Sequence, residues 1–266
     1  MNIRLPHPFF LAIATAFLVG SPPAAVAGAE PIVTDRPDFV ESSDVVGKGR
    51  LQVETSVAID RSARNGERDT TWSTPTLVRF GITDTIELRV ESDGALRQRI
   101  RASSGAAMTE RGYADASLGI KWHALDAHDN MPSVGVLLHA DLATGSASFR
   151  EEGTRPSARV VMEWELPNDL SLGMMPGIGY QKSNGGNVFG ILGVVVGKSW
   201  SERLRSFVEV SSPHIAGSAS GGSEASLTVG AAYLVTNNVQ IDTALSRGLN
   251  RRTPELSLTF GLSFKL

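Results

Sequence analysis

The last eleven residues, Leu256 to Leu266, set Leu256, Leu258, Phe260, Leu262, Phe264 and Leu266 at alternate positions, with Ser257, Thr259, Gly261, Ser263 and Lys265 between them. Successive side chains of a strand point to opposite faces, so this stretch is apolar along one whole face and small or polar along the other. Two surroundings suit such a strand. One is a soluble antiparallel sheet with one face on a core. The other is a wall between lipid and a wet lumen. The remainder of the chain favours the second.

At the other end, Arg4 precedes an apolar run from Phe9 to Val19, and small residues follow at Ala25-Val26-Ala27 and Ala27-Gly28-Ala29. The pattern predicts a secretory signal peptide over residues 1–27, cleaved after Ala27 or Ala29. The run is shorter than the roughly 20 residues of a transmembrane helix. The chain has no cysteine, which excludes disulfides, thiol nucleophiles, thiolate metal sites and a lipid anchor on cysteine. An exported protein of this size must then be held by packing and backbone pairing. A closed barrel achieves this by pairing every strand on both sides.

Alternating segments are expected at about 49–60, 70–82, 85–92, 112–124, 132–142, 156–166, 170–181, 187–199, 204–212, 223–235, 238–247 and 254–266, which makes about twelve strands. The connections alternate in length. Short ones fall at Thr83-Asp84, Asp126 to Asn130, Pro167-Asn168-Asp169, Ser201-Glu202-Arg203 and Thr236-Asn237. Longer ones fall at 61–69, 93–111, 143–155, 182–186, 213–222 and 248–253. Transmembrane barrels have tight periplasmic turns and longer outer loops. Aromatic residues follow the same division. Phe80, Trp122, Trp164, Trp200 and Tyr233 lie at the short turns, and Trp72, Tyr113, Tyr180 and Phe189 beside the long loops, as interfacial girdles require. The fold class predicted is an all-β, antiparallel up-and-down transmembrane barrel over residues 49–266.

The faces are consistent with this fold. Val134, Val136, Leu138, Ala140 and Leu142 alternate with Ser133, Gly135, Leu137, His139 and Asp141; Ala158, Val160, Met162, Trp164 and Leu166 alternate with Ser157, Arg159, Val161, Glu163 and Glu165. Ile86, Leu88 and Val90 likewise alternate with Glu87, Arg89 and Glu91. An Arg or Lys on the lipid face costs roughly 2–4 kcal/mol at the midplane, so the charged rows are expected to face the lumen.

Residues Thr34-Asp35-Arg36-Pro37-Asp38-Phe39-Val40-Glu41-Ser42, followed by Lys48-Gly49-Arg50-Leu51-Gln52-Val53-Glu54, resemble the opening of a bacterial outer-membrane transporter family linked to the phenol meta-pathway. Further similarity lies in Arg79-Phe80-Gly81-Ile82-Thr83-Asp84, Leu118-Gly119-Ile120-Lys121-Trp122 and Leu142-Ala143-Thr144-Gly145. The chain departs from the family in ending on Leu266 rather than an aromatic residue, with Phe264 two positions earlier. The resemblance implies movement of small, often aromatic or hydrophobic, solutes across the outer membrane.

A barrel of this size lies between those filled by side chains and those that leave an open channel, so the occupant of the lumen matters. Within the N-terminal segment of residues 28–48, residues 30–48 are polar, lack strand alternation and start at the periplasmic mouth. They form either a solvated tail or a lumen plug, in which Asp35, Arg36, Asp38 and Glu41 meet lumen charges such as Arg79, Arg89, Lys121 and Arg159. Glu87, His139, Asp141 and Glu163 complete the candidate solute-binding rows.

Enzymatic readings are weaker. Gly193 to Ser199 is one residue short of a phosphate-binding loop and lies within a strand. No G-x-S-x-G elbow is present. His139 and Asp141 share a face, but such a pair is commonly structural. No metal or cofactor site is expected. The expected partners are outer-membrane lipid, the barrel-assembly machinery and a small-molecule solute, and none of the sequence points to nucleic acid. A structural or adhesive barrel is the alternative, against which the modest Gly- and Ser-rich loops argue; an outer-membrane hydrolase is a weaker one. The net charge of −3 selects no solute.

Overall fold

The computed structural model describes residues 31–182, 185–217 and 222–266; the signal peptide expected over residues 1–27 lies outside the described residues. The strand segments are β1 (Leu51–Arg64), β2 (Glu67–Ser73), β3 (Thr76–Gly81), β4 (Ile86–Ser92), β5 (Ala95–Arg101), β6 (Ala107–Tyr113), β7 (Ala116–Leu125), β8 (Ser133–Leu142), β9 (Arg155–Leu166), β10 (Leu170–Gln181), β11 (Asn187–Ser199), β12 (Leu204–Ile215), β13 (Ser226–Thr236), β14 (Val239–Gly248) and β15 (Leu256–Lys265). Neighbours pair antiparallel, and β15 closes the sheet on β1 from Gln52↔Lys265 to Arg61↔Leu256. Thr74-Pro75, Asp93-Gly94 and Ala114-Asp115 each interrupt one long strand, joining β2 with β3, β4 with β5 and β6 with β7. The fifteen segments therefore make a closed barrel of twelve strands.

Two stretches expected as loops are mostly strand. Residues 61–69 extend β1 and β2 to a two-residue turn at Asn65 (φ 52°) and Gly66 (φ 79°). Both residues have the positive φ of a tight hairpin turn, for which Asn-Gly is the usual signal. Residues 93–111 contain β5 and most of β6. Residues 61–69 are polar on both faces, and β5 and β6 carry Arg97, Arg99, Arg101 and Arg111 on the outward face, so neither stretch has the apolar outward row that marks the wall.

Within the wall, burial is inverted relative to a soluble protein. Arg79 and Lys121 are 0% exposed, while Leu138 is 56% exposed and Trp122 50%. Charged residues occupy the inward rows and apolar residues the outward ones, as expected of a barrel whose solvent is lipid.

The lumen itself is two-sided, which alternation alone did not disclose. Around β1, β3, β4 and β7 the inward residues are Glu54, Arg79, Glu87, Arg89 and Lys121. Opposite them Leu137, Val161, Met175, Val195, Phe207 and Ala244 form a buried apolar cluster with Val40, against which Phe39 packs. Phe189, assigned above to the outer girdle, points inward instead; its ring lies 4.5 Å from that of His214. Its neighbours Val188 and Leu192 take the outward positions.

Candidate functional site: a segment held in the lumen

Residues 31–49 enter the barrel and return at the same end. The Ile32 amide donates to the Asn237 carbonyl (2.7 Å) and the Gly49 amide to the Gly81 carbonyl (2.8 Å), both at short connections. Between these ties the segment has no strand neighbour, so its buried amides need other acceptors. Some are local: the Ser42 amide donates to Asp35 Oδ1 (2.9 Å) and the Asp44 amide to Ser42 Oγ (2.9 Å), the turn-forming use of short polar side chains.

Four glutamates of the wall accept from six more. Glu54 accepts from the amides of Asp35 (2.9 Å) and Arg36 (3.0 Å). Glu209 accepts from Phe39 (3.1 Å) and Val40 (2.8 Å), Glu163 from Ser43 (2.6 Å) and Glu87 from Val46 (2.9 Å). These carboxylates accept from backbone amides, so they fix the path of the segment whatever its side chains.

The side chains add a charge network. Lys121 Nζ donates to both Asp35 oxygens at 2.8 Å, Arg89 Nη1 to Asp35 at 2.5 Å, and Arg79 lies 3.4 Å from Asp35. Glu41 is met by Arg89 at 2.6 Å and Arg159 at 3.1 Å. Arg79 also bridges Glu54 (3.1 Å) and Glu87 (2.8 Å). Burial pushes the Asp35 carboxyl up, but Arg79, Lys121 and Arg89 outweigh it and hold the group far below the usual carboxylate range. Burial acts on Glu41 in the same way, and Arg89 leads the cations that bring it below its ordinary value. Both acids are therefore held as anions, which suits buried charges satisfied by paired partners.

The structure thus brings Asp35, Glu41, Arg79, Glu87, Arg89, Lys121, Arg159 and Glu163 together around one segment. Asp38 meets Arg205 (3.3 Å) and Arg36 lies 3.7 Å from Glu91. No hydrogen bond or ion pair joins His139 and Asp141 among the described residues: Asp141 faces Arg155 at 3.5 Å, and the buried His139 Nε2 has no hydrogen-bond partner among them. The sequence analysis left Glu54, Glu209 and Arg205 out of the site. The signal available was their inward parity, since each alternates with outward apolar neighbours.

Wall glycines make room for the segment. A Cβ on Gly135 would lie 2.9 Å from the Ser43 Cα, and one on Gly193 2.6 Å from Val40 Cγ2. Cavities flank the segment on both sides. One of about 280 Å³ includes Ile32, Val40, Leu172, Arg203 and Gln240 and opens toward the short turns. Two others, of about 370 and 360 Å³, share Glu91, Asp93 and Arg159 and open toward the long loops.

Residues 34–266 match the sequence profile of the family described as "Putative MetA-pathway of phenol degradation". The chain belongs to this family. Among solved structures, this family member resembles the COG4313 outer membrane channel from Pseudomonas putida F1, at 12% identity and a TM-score of 0.60, over 86% of this chain and 99% of that one. It also resembles the translocator domain of the autotransporter NalP from Neisseria meningitidis (13% identity, TM-score 0.52, 83% and 90% covered) and the β domain of the Bordetella autotransporter BrkA (12%, 0.51, 80% and 98%). At these identities the likeness is one of fold, that of outer-membrane barrels. No curated protein sequence matches the chain.

Proposed function

We propose that this family member is an outer-membrane channel for small solutes, and that residues 34–46 form a constriction within its lumen. The observation that carries this reading is the segment itself, held at mid-lumen by four wall carboxylates with cavities of about 280 Å³ on one side and about 370 Å³ on the other. A structural barrel has no need of a lumen with such spaces. Solutes in the cavity on the long-loop side meet Arg89, Glu91, Asp93 and Arg159 together with Phe39, Pro213 and Ala244. That mixed surface suits a small ring carrying a polar group, and the family's description, which links it to phenol degradation, supports an aromatic solute. In this reading the signal peptide directs export, and β15, with its unbroken outward apolar row, is the strand offered to the barrel-assembly machinery.

Planar-bilayer recordings of the mature chain, with and without residues 30–46, test the proposal together with uptake of a small phenol into cells. The deletion should fold, conduct more and admit the phenol faster. Equal conductance in the two forms would remove the constriction, and no conductance in either would remove the channel.

A further inference from the structure

Beyond the barrel wall, the distal part of β1 pairs with β2, β2 with β5 and β5 with β6, which ends this sheet. The pairing sets side chains in three rows: Ile59, Trp72, Arg97 and Arg111; Arg61, Thr70, Arg99 and Thr109; Ala63, Arg68, Arg101 and Ala107. Ile59, Arg61 and Ala63 continue the outward parity of Val53 and Val57 on β1, so all three rows face away from the lumen. Arg61, Arg68, Arg97, Arg99, Arg101 and Arg111 are therefore on one outward face, each exposed. These rows contain no carboxylate. None of the six guanidinium groups has an ion-pair or hydrogen-bond partner among the described residues.

This placement is built by the backbone. On β4, Glu87 and Arg89 at odd positions face the lumen; after Asp93-Gly94, with Gly94 at φ 66°, the odd positions Arg97, Arg99 and Arg101 face outward. The interruption at Ala114-Asp115 likewise turns Arg111 and Tyr113 outward, although Lys121 at an odd position faces inward. A one-residue shift exchanges the two faces of a strand, and bulges are where such re-aiming occurs.

Six like charges on strands about 4.8 Å apart repel one another unless an anion lies over them. The lipid side of the patch supplies a second observation. A groove of about 500 Å³ on the outer surface is lined by Val57, Trp72, Ala95 and Tyr113, with Arg97 and Arg111 also on its walls. Exposed aromatic rings mark the headgroup level, and the extension belongs to the end with the longer loops, the cell exterior in barrels. An apolar groove at that depth, topped by guanidinium groups, matches a molecule with acyl chains below and several phosphates above.

We propose that this surface binds a phosphorylated glycolipid of the outer leaflet, of the lipopolysaccharide class. One acyl chain occupies the Trp72–Tyr113 groove, and the phosphates lie on Arg97, Arg99, Arg101 and Arg111, whose planar forks pair with phosphate oxygens two at a time. A nucleic acid or acidic polysaccharide would use the charges but leave the groove empty.

The test is native mass spectrometry of the full mature protein in detergent, titrated with bisphosphorylated lipid A, with its dephosphorylated form, with inorganic phosphate and with a short single-stranded oligonucleotide. The bisphosphorylated lipid should bind, and R97Q/R99Q/R101Q should weaken it by at least about tenfold; R251Q, on another outer loop, should not. Heat-modifiable migration on gels reports that each variant is folded. If the triple variant does not fold, R99Q/R111Q replaces it, with the same loss expected. Equal binding by wild type and variant, equal binding of the dephosphorylated lipid, or stronger binding of phosphate or the oligonucleotide would each overturn the proposal.

Discussion

Lys121 Nζ on β7 sits 2.8 Å from both carboxylate oxygens of Asp35, 86 residues earlier in the chain. Neither group is on the surface, and Arg79 and Arg89 complete the cationic surround of the same carboxylate. Replacing Asp35 by Asn removes the carboxylate that three buried cations share, and leaves Lys121 with Glu41 at 3.8 Å as its nearest ion-pair partner. Breaking a buried pair in this way costs about 3–5 kcal/mol. The barrel wall is held by strand pairing, so the loss should fall on the docking of residues 34–46. A cysteine at Val40 should react slowly with a thiol reagent in the parent protein and at least tenfold faster beside D35N. An unchanged rate would mean that the network does not hold the segment.

The pH dependence of that difference follows from sign. Asp35 and Glu41 have folded values below their ordinary ones, so their contribution is fully present above the unfolded carboxylate range near pH 4 and is lost as pH falls through the lowered folded values. The contrast in Val40 cysteine labelling between parent and D35N should therefore stay constant from about pH 8 to 5 and close only below about pH 4. Because the thiolate is the reacting form, the ratio of the two labelling rates at each pH is compared, which cancels the reagent's own pH dependence. Closure near neutrality would assign the effect to another group.

Gly135 and Gly193 test the fit between wall and segment. A Cβ on Gly135 meets backbone at Ser43, which has no rotamer to yield, whereas at Gly193 the nearest atoms are side-chain carbons of Val40 and Phe39. Gly135→Ala should displace the segment and raise conductance more than Gly193→Ala. Both should migrate as folded barrels. Equal conductance in the two variants and the parent would show that the segment does not limit flow.

Ser117 and Leu118 are adjacent on β7 and face opposite ways. Ser117 lines the cavity of about 360 Å³, and Leu118 is 51% exposed on the outer face. Leu118→Arg should impair assembly by roughly 2–4 kcal/mol if near the midplane, while Ser117→Arg should be tolerated. The fraction of heat-modifiable barrel in isolated membranes reads the difference. Similar yields would invalidate the assignment of faces.

Orientation is accessible to labelling on intact cells. Ser104 lies at the tip joining β5 and β6, and Glu202 in the connection before β12. A cysteine at Ser104 should react with an impermeant reagent on whole cells, and one at Glu202 only after the outer membrane is opened. The reverse pattern would invert the barrel.

Much of the wall was legible in the chain because a wall strand is a local object. Lipid on one side and lumen on the other impose alternation residue by residue, so β15 can be read from Leu256 to Phe264 and the short turns from Trp122 and Trp200. The inward cations that meet Asp35 and Glu41 stand at positions this alternation identifies. Glu54 and Glu209 share that parity, yet their role depends on where the amides of Asp35, Phe39 and Val40 run, which is a property of the assembled lumen. The apolar flank around Phe207 and the inward turn of Phe189 arise in the same way. Strand at 61–69 carried an Asn-Gly signal at Asn65-Gly66, but polar residues on both faces hid the alternation. Arg97, Arg99 and Arg101 show the limit most clearly: by the parity of β4 they would enter the lumen, and one irregular residue pair at Asp93-Gly94 turns them toward the membrane surface. Alternation determines which residues share a face, but only the closed sheet, with its interruptions, decides which face that is.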